Sequence, residues 1–175
     1  MTDALEQVIA ETQSRFQKDP ATAATTFASQ SRLQQGLCSK AAMRQHELLV
    51  DEPEALGGAD QGPNPVELIL AALGTCQEIT CRAYATAMGV ALDGVSVTLE
   101  GDNDLQGFFG VNDAVRPGYQ RIRGTVVLDS PASEADLQRL REAVNARCPV
   151  LDILSKSGSV ELDLQVEPPP EIAAL

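Results

Sequence analysis

Four cysteines, Cys38, Cys76, Cys81 and Cys148, and a single histidine, His46, hold most of the nucleophilic and metal-binding chemistry open to this chain. A thiol can serve as nucleophile, disulfide partner or metal ligand, and in each role the thiolate is the reacting form. Zinc sites need ligands clustered at short loop spacings. Here there is no CxxC pair, and His46 sits among Arg44, Gln45 and Glu47, which reads as a solvent-exposed residue and not as a metal site. Cys76 follows two helical turns of aliphatic side chains and is preceded by Gly74 and Thr75, so it is either a small buried hydrophobe or a reactive thiol in a dry pocket. Cys76 and Cys81 are five residues apart on one expected helix, pointing about 140° apart, and cannot bridge each other. Cys38 falls in a turn region and reads as incidental.

The element that must position Cys76 is written in Asn64 to Gly89. Asn64 is a good N-cap, Pro65 suits a first turn whose N–H groups have no partner, and Gly89 is a natural left-handed stop. Val66, Leu68, Ile69, Leu70, Ala71, Ala72 and Leu73 leave the first half of this helix without a wet face, which predicts a central or interface helix enclosed by protein.

Cys148 belongs to a second helix. Ser133 is its expected cap, and in SEADLQRLREAVNARC the residues Leu137, Leu140, Val144 and Cys148 follow one stripe, placing Cys148 on the buried side at the helix end. Pro149 then ends that helix and opens a short one, PVLDILSK, whose first N–H groups favour a thiolate over a thiol.

Around these helices the patterning is mixed. Leu5, Val8, Ile9, Thr12 and Phe16 predict an amphipathic helix over residues 4–16, capped by Thr2 or Asp3 and ending near Asp19-Pro20, that packs on the domain or reaches a partner as an arm. Ala21 to Val50 reads as two or three antiparallel strands broken by Gln-Gln-Gly-Leu-Cys-Ser. DEPEALGGADQGP, residues 51–63, is a loop. It lacks the lysine and spacing of a phosphate-binding loop. Val95, Val97 and Leu99 alternate with polar residues in one strand, and Ile122, Val126 and Leu128 mark another. Between them, residues 102–118 form a long loop with Phe108 and Phe109, suited to a lid or wall. Val160, Leu162, Leu164 and Val166 predict a last strand. The expected division is an N-terminal helix or arm at 1–20, one domain at 21–167 and a tail at 168–175.

Length and charge narrow the function. A chain of 175 residues accommodates one domain with a substantial core, and aromatics at 3% leave room for subunit interfaces. Thirteen basic against twenty-five acidic residues give a net charge of −12, which repels phosphate backbones and anionic lipid and argues against nucleic-acid or membrane roles. The start MTDALEQVIAETQ lacks the pattern of a secretory signal, so a cytoplasmic, thiol-reducing setting is expected.

Taken together, GPNPVELILAALGTC and RCPVLDIL resemble the motifs of the OsmC/Ohr family of thiol-dependent hydroperoxide reductases, over about residues 50–166. The resemblance implies an α+β fold in which antiparallel sheets wrap around two central helices in an intertwined homodimer. It implies that Cys76 is the peroxidatic thiol and Cys148 the resolving one. A sulfenic acid on Cys76 would condense with Cys148, and an external dithiol or lipoyl-type reductant would restore the pair, with no bound cofactor.

A thiolate among aliphatic groups needs a nearby cation. In the family an arginine from the N-terminal strands supplies it, held by a glutamate directly after the Asn-Pro of the helix start. Here that position is Val66, as in an OsmC-like branch with a GPNPVEL motif. Glu67, nine residues before Cys76, lies on the opposite side of the helix, where a capping role is expected. Arg32 is the candidate thiolate stabiliser, with Arg44 and Arg116 as further cations.

The expected function is reduction of organic hydroperoxides by Cys76, Cys148 and Arg32. The competing readings are a dimeric, non-enzymatic binder of a small apolar ligand and a thiol redox sensor. Cys76→Ser separates catalysis from binding: peroxide turnover should vanish if Cys76 is the nucleophile, whereas unchanged affinity for an apolar ligand together with undiminished peroxide consumption would reduce Cys76 to packing.

Overall fold

A computed structural model of the chain describes residues 2–156 and 158–166. The expected tail at 168–175 lies outside the described residues. Helix α1 (Thr2–Lys18) and a 3-10 turn lead into strands β1 (Gln30–Leu33), β2 (Ser39–Met43) and β3 (His46–Val50). After a loop come α2 (Pro65–Met88), β4 (Gly94–Asp102), the short α3 (Leu105–Phe108), β5 (Arg121–Asp129), α4 (Glu134–Arg147) and α5 (Pro149–Ser155). The strands form two separate antiparallel sheets, β1-β2-β3 and β4-β5. The α+β class expected from the sequence is the class observed.

Helix α2 has the ends its residues dictate. The Asn64 side chain accepts the Glu67 N–H and the Glu67 carboxylate accepts the Asn64 N–H, both at 2.8 Å, so Glu67 completes a capping box. At the other end Gly89 adopts φ 65°, a conformation that favours glycine, and its N–H returns to the Ala85 and Thr86 carbonyls.

The core forms where α2, α4 and the start of β4 converge. Cys81 and Ala85 of α2, Val90 and Leu92 beyond it, and Leu140 and Val144 of α4 make one buried cluster, flanked by Tyr84, Val95, Leu128 and Leu137. Val97 and Leu99 of β4 lie over Gly74 of α2. Arg82 ties the two together, donating to the carbonyls of Leu92 and Asp93. Tyr119, just before β5, donates to the Val66 carbonyl at 2.9 Å and so fastens the hairpin to the first turn of α2. Helix α1 is in contact with α2.

Two expectations are unmet within the single chain. The first half of α2 is not enclosed by its own chain, since Ile69 is 40% exposed and Ala71 and Ala72 are exposed beside it, which leaves the interface alternative of that expectation open. The predicted last strand is not formed, because residues 158–166 run without sheet hydrogen bonds and Leu162 and Leu164 are each 91% exposed. Alternation supplies a two-faced segment, but a strand also needs a neighbour for its backbone and a cover for its apolar face. Neither is offered by this chain's own sheets. The long loop also carries more order than expected, since Asp104 caps α3 through the Gln106 N–H.

The loop before α2 is held by a buried carboxylate. Asp51, 2% exposed, accepts N–H groups from Glu52 (2.8 Å), Ala59 (3.1 Å) and Gln61 (3.2 Å). Gly58 is required there, since a Cβ would fall 1.7 Å from the Glu52 carbonyl oxygen. Burial pushes the Asp51 carboxyl up, but the three backbone donors outweigh it and hold the group below the ordinary carboxylate range.

The folded value therefore lies below the unfolded value of about 3.9, and the stability it contributes is present above that pH and lost as pH falls through the folded value. Asp51→Asn should melt at a lower temperature than the parent at pH 7, and the gap should close on acidification. Calorimetric scans from pH 7 to pH 3 check this; a gap that stays constant with pH would remove the carboxylate charge from the account.

Candidate active site

On α2, Leu73, Gln77, Thr80, Cys81 and Ala85 are buried, recurring at the three- and four-residue intervals that make one helix face. That face receives α4, whose own stripe of Leu140 (0% exposed), Val144 and Cys148 faces it. The two stripes bring Cys148 to the turn of α2 that carries Cys76, and the Cys148 thiol donates to the Cys76 sulfur at 3.3 Å. A disulfide has its sulfurs about 2.05 Å apart, so closing the bond brings the two sulfurs together by little more than an ångström. All four cysteines are free.

Cys148 is buried, while Cys76 is half-exposed at the edge of the buried face. Ile69, Ala72, Cys76 and Ile79 lie within about 80° of one another around α2 by helix geometry. Ile69, Ala72 and Ile79 are exposed, so Cys76 stands in the middle of an uncovered apolar strip.

The environment treats Cys148 asymmetrically. Burial pushes its thiol up. The Leu151 N–H at the start of α5 and the Gln77 side chain pull it down, the bond and charge of Cys76 push it up again, and the net direction is upward. Cys148 thus keeps its proton near neutrality and acts as donor to Cys76. Burial, with contributions from Cys148 and Glu78, also pushes the Cys81 thiol up, which fits its place in the core.

The expected cations do not reach this pair within one chain. Arg32 lies in β1 opposite Lys40 and is exposed, Arg44 sits at the β2–β3 turn with φ 56°, and Arg116 is exposed in the loop before β5. Among the described residues no hydrogen bond or ion pair joins an arginine to either thiol. The sheet that carries Arg32 packs extensively on no helix of its own chain. Arg147, next to Cys148, is turned onto the Tyr84 ring at 5.5 Å. His46 is exposed, as read from its neighbours, and Cys38 is buried at the β1–β2 turn. Among the described residues no group of three or more His, Cys, Asp or Glu side chains could hold a metal ion, and no helix is long and apolar enough to cross a membrane.

Gln77 is the site residue missed in the sequence. Its signal was available: a polar side chain at a position that the stripe of Leu73 and Cys81 makes a core position. A groove of about 490 Å³ between α4 and β5 reaches Gln77 and Cys81 without touching Cys76.

A model of the OsmC-like protein family matches residues 57–163, which span both cysteines of the pair. This chain belongs to the OsmC-like family. Solved structures agree on the fold. An OsmC-like protein from Mycoplasma pneumoniae superposes with a TM-score of 0.64 at 20% identity, covering 75% of this chain and 88% of that one. An organic hydroperoxide resistance protein from Legionella pneumophila gives 0.57 at 18% identity, covering 74% and 89%. Another so named, from Elizabethkingia anophelis, gives 0.54 at 17%, covering 74% and 87%. No curated protein matches the chain.

The geometry makes a direct prediction about the thiols. Mild oxidation of the reduced protein with diamide should link Cys76 to Cys148 and leave Cys38 and Cys81 alkylatable. Peptide mass mapping reads the outcome, and a dominant bond from Cys81 or Cys38 would contradict the juxtaposition.

Proposed function

We propose that this OsmC-like protein reduces organic hydroperoxides, with Cys76 as nucleophile and Cys148 as resolving thiol. The observation that carries the reading is the 3.3 Å contact between a half-exposed Cys76, set in an apolar strip, and a buried Cys148 that holds its proton. Two structurally similar proteins, from Legionella pneumophila and Elizabethkingia anophelis, are named organic hydroperoxide resistance proteins, which supports the same reading.

In the proposed cycle the Cys76 thiolate attacks the terminal oxygen of the hydroperoxide. The O–O bond breaks, the alkoxide leaves with a proton as the alcohol, and Cys76 becomes a sulfenic acid. Cys148 then attacks that sulfur, hydroxide departs and takes up the Cys148 proton as water, and the disulfide forms. An external dithiol, of the lipoyl type, reduces it by exchange. The half-exposed sulfur is the one available to substrate and to reductant. Ile69, Ala72 and Ile79 beside it favour an alkyl hydroperoxide over hydrogen peroxide.

The working unit in this reading is a homodimer in the cytoplasm. Ile69 and Ile79 on α2, Leu33 and Leu49 on the first sheet, and the alternating segment from Val160 to Val166 are exposed in the single chain. A second copy would cover such surfaces and bring a sheet carrying Arg32 to the Cys76 strip, where the guanidinium would stabilise the thiolate. The alternative, a binder of a small apolar ligand, draws support from the groove beside Gln77 and Cys81.

The decisive experiment adds a slight excess of cumene hydroperoxide to the reduced protein, quenches within seconds and maps disulfides. A Cys76–Cys148 bond formed faster with cumene hydroperoxide than with hydrogen peroxide is expected. Arg32→Ala should slow the reaction by at least about tenfold, the effect of losing a charge-assisted contact. Thiols that stay reduced would sink the peroxidase reading and leave ligand binding in its place.

A further inference from the structure

The reduced thiols stand at a spacing that fits one atom between them. Cys76 and Cys148 have their sulfurs 3.3 Å apart, well beyond the length of about 2.05 Å that a disulfide takes. Two bonds of about 2.3 Å to a bridging centre, the length of a zinc–thiolate bond, span about 4.6 Å when opposed, about 3.8 Å at a tetrahedral angle and about 3.3 Å at a right angle. The pair therefore already has the bite of a centre whose bonds meet near 90°, whereas a linear ion needs the sulfurs roughly an ångström further apart. Trivalent arsenic has the bent shape, because its lone pair confines three single bonds to a steep pyramid, and as a soft centre it favours sulfur over oxygen.

Charge and surroundings narrow the ligand further. Cys148 is 1% exposed, burial holds the proton on its sulfur, and among the described residues no arginine is bonded to either thiol. Two thiolates on a singly charged ion would leave a net negative charge at this place, which burial penalises. Arsenic carrying two sulfurs and one carbon is neutral. Cys76 is half-exposed within the strip of Ile69, Ala72 and Ile79, so the third substituent on arsenic meets apolar side chains.

We propose that the reduced Cys76–Cys148 pair is a chelating site for trivalent organoarsenicals, with both sulfurs on arsenic and the organic group against Ile69, Ala72 and Ile79. The site follows from the placement of the thiols and not from the hydroperoxide reading, although an occupied pair is closed to peroxide. With phenylarsine oxide the step is a condensation. The approachable Cys76 sulfur bonds to arsenic first, and Cys148 closes the chelate from within the same molecule, where its effective concentration is high. Two As–S bonds form, both S–H bonds and the bonding of arsenic to oxygen break, and the oxygen leaves with the two protons as water. Arsenic stays trivalent and neither sulfur changes oxidation state, so no oxidant or reductant takes part.

The test treats reduced full-length protein with one equivalent of phenylarsine oxide, reads the adduct by intact mass and maps the remaining thiols by alkylation. One phenylarsenic per chain is expected, with Cys76 and Cys148 protected and Cys38 and Cys81 alkylated. A large excess of glutathione should leave this adduct in place but strip it from Cys76→Ser and from Cys148→Ser, which should each bind at least about a hundredfold more weakly, the factor that linkage of two bonds confers. No adduct, an adduct on Cys38 or Cys81, or a parent adduct that glutathione removes as readily as from the serine variants would overturn the proposal. Ile79→Asn should lower the affinity for phenylarsine oxide relative to inorganic arsenite by about fourfold, the worth of one buried methylene. An unchanged ratio would overturn the placement of the organic group. Peroxide consumption keeps the two readings apart. A protein that holds the arsenical and consumes no cumene hydroperoxide keeps this site and loses the hydroperoxide reading, while undiminished consumption with one equivalent of phenylarsine oxide present rejects the site alone.

Discussion

The register of α4 on α2 is the constraint on which the site depends. Leu140, Val144 and Cys148 follow one another at helical intervals down α4, and the face they meet on α2 is built the same way. Each buried aliphatic side chain contributes about 1.5–3 kcal/mol when taken out of water, so the lock is strong and non-directional. What gives it direction is interdigitation. A slip of one turn would move Cys148 by about 5.4 Å along α2 and carry it out of reach of Cys76. The core of this protein therefore does two things with the same residues, holding the helices together and fixing the separation of two sulfurs.

The electrostatics of the pair follow from where each sulfur lies on that contact. Cys148 closes the buried stripe at the point where α4 gives way to α5, and burial keeps its proton on. Cys76 lies at the margin of the same face and accepts that proton's hydrogen bond. The margin sulfur is the one a small molecule can approach. The division into an approachable and an enclosed sulfur thus needs no residue beyond those that pack the helices.

The rest of the chain is arranged around this contact but does not enclose it. Asp51 stiffens the loop that delivers the chain to Asn64, the capping box starts α2 in a defined place, and Tyr119 pins the β4–β5 hairpin to its first turn. Yet Ile79 beside Cys76, the first sheet and the segment ending at Val166 all keep apolar side chains in solvent. Surfaces of that kind rarely stand open in a folded protein of this size.

Local features were legible from residue order alone, because each is decided within a few positions. The Asn64 cap, the Gly89 stop, the Ser133 cap, the break at Cys148-Pro149 and the alternation in β4 all stand where their residues put them. Glu67 was readable as a cap for the same reason. Tertiary structure alone decided that Cys148 meets Cys76, since two residues 72 positions apart share no local signal and their distance follows from how two stripes interlock. It also decided that the polar Gln77 is buried on the face of α2 with Leu73 and Cys81. It left Val160 to Val166 unpaired despite clear alternation, because a strand exists only where another backbone accepts its hydrogen bonds, and no sequence pattern specifies which backbone that is.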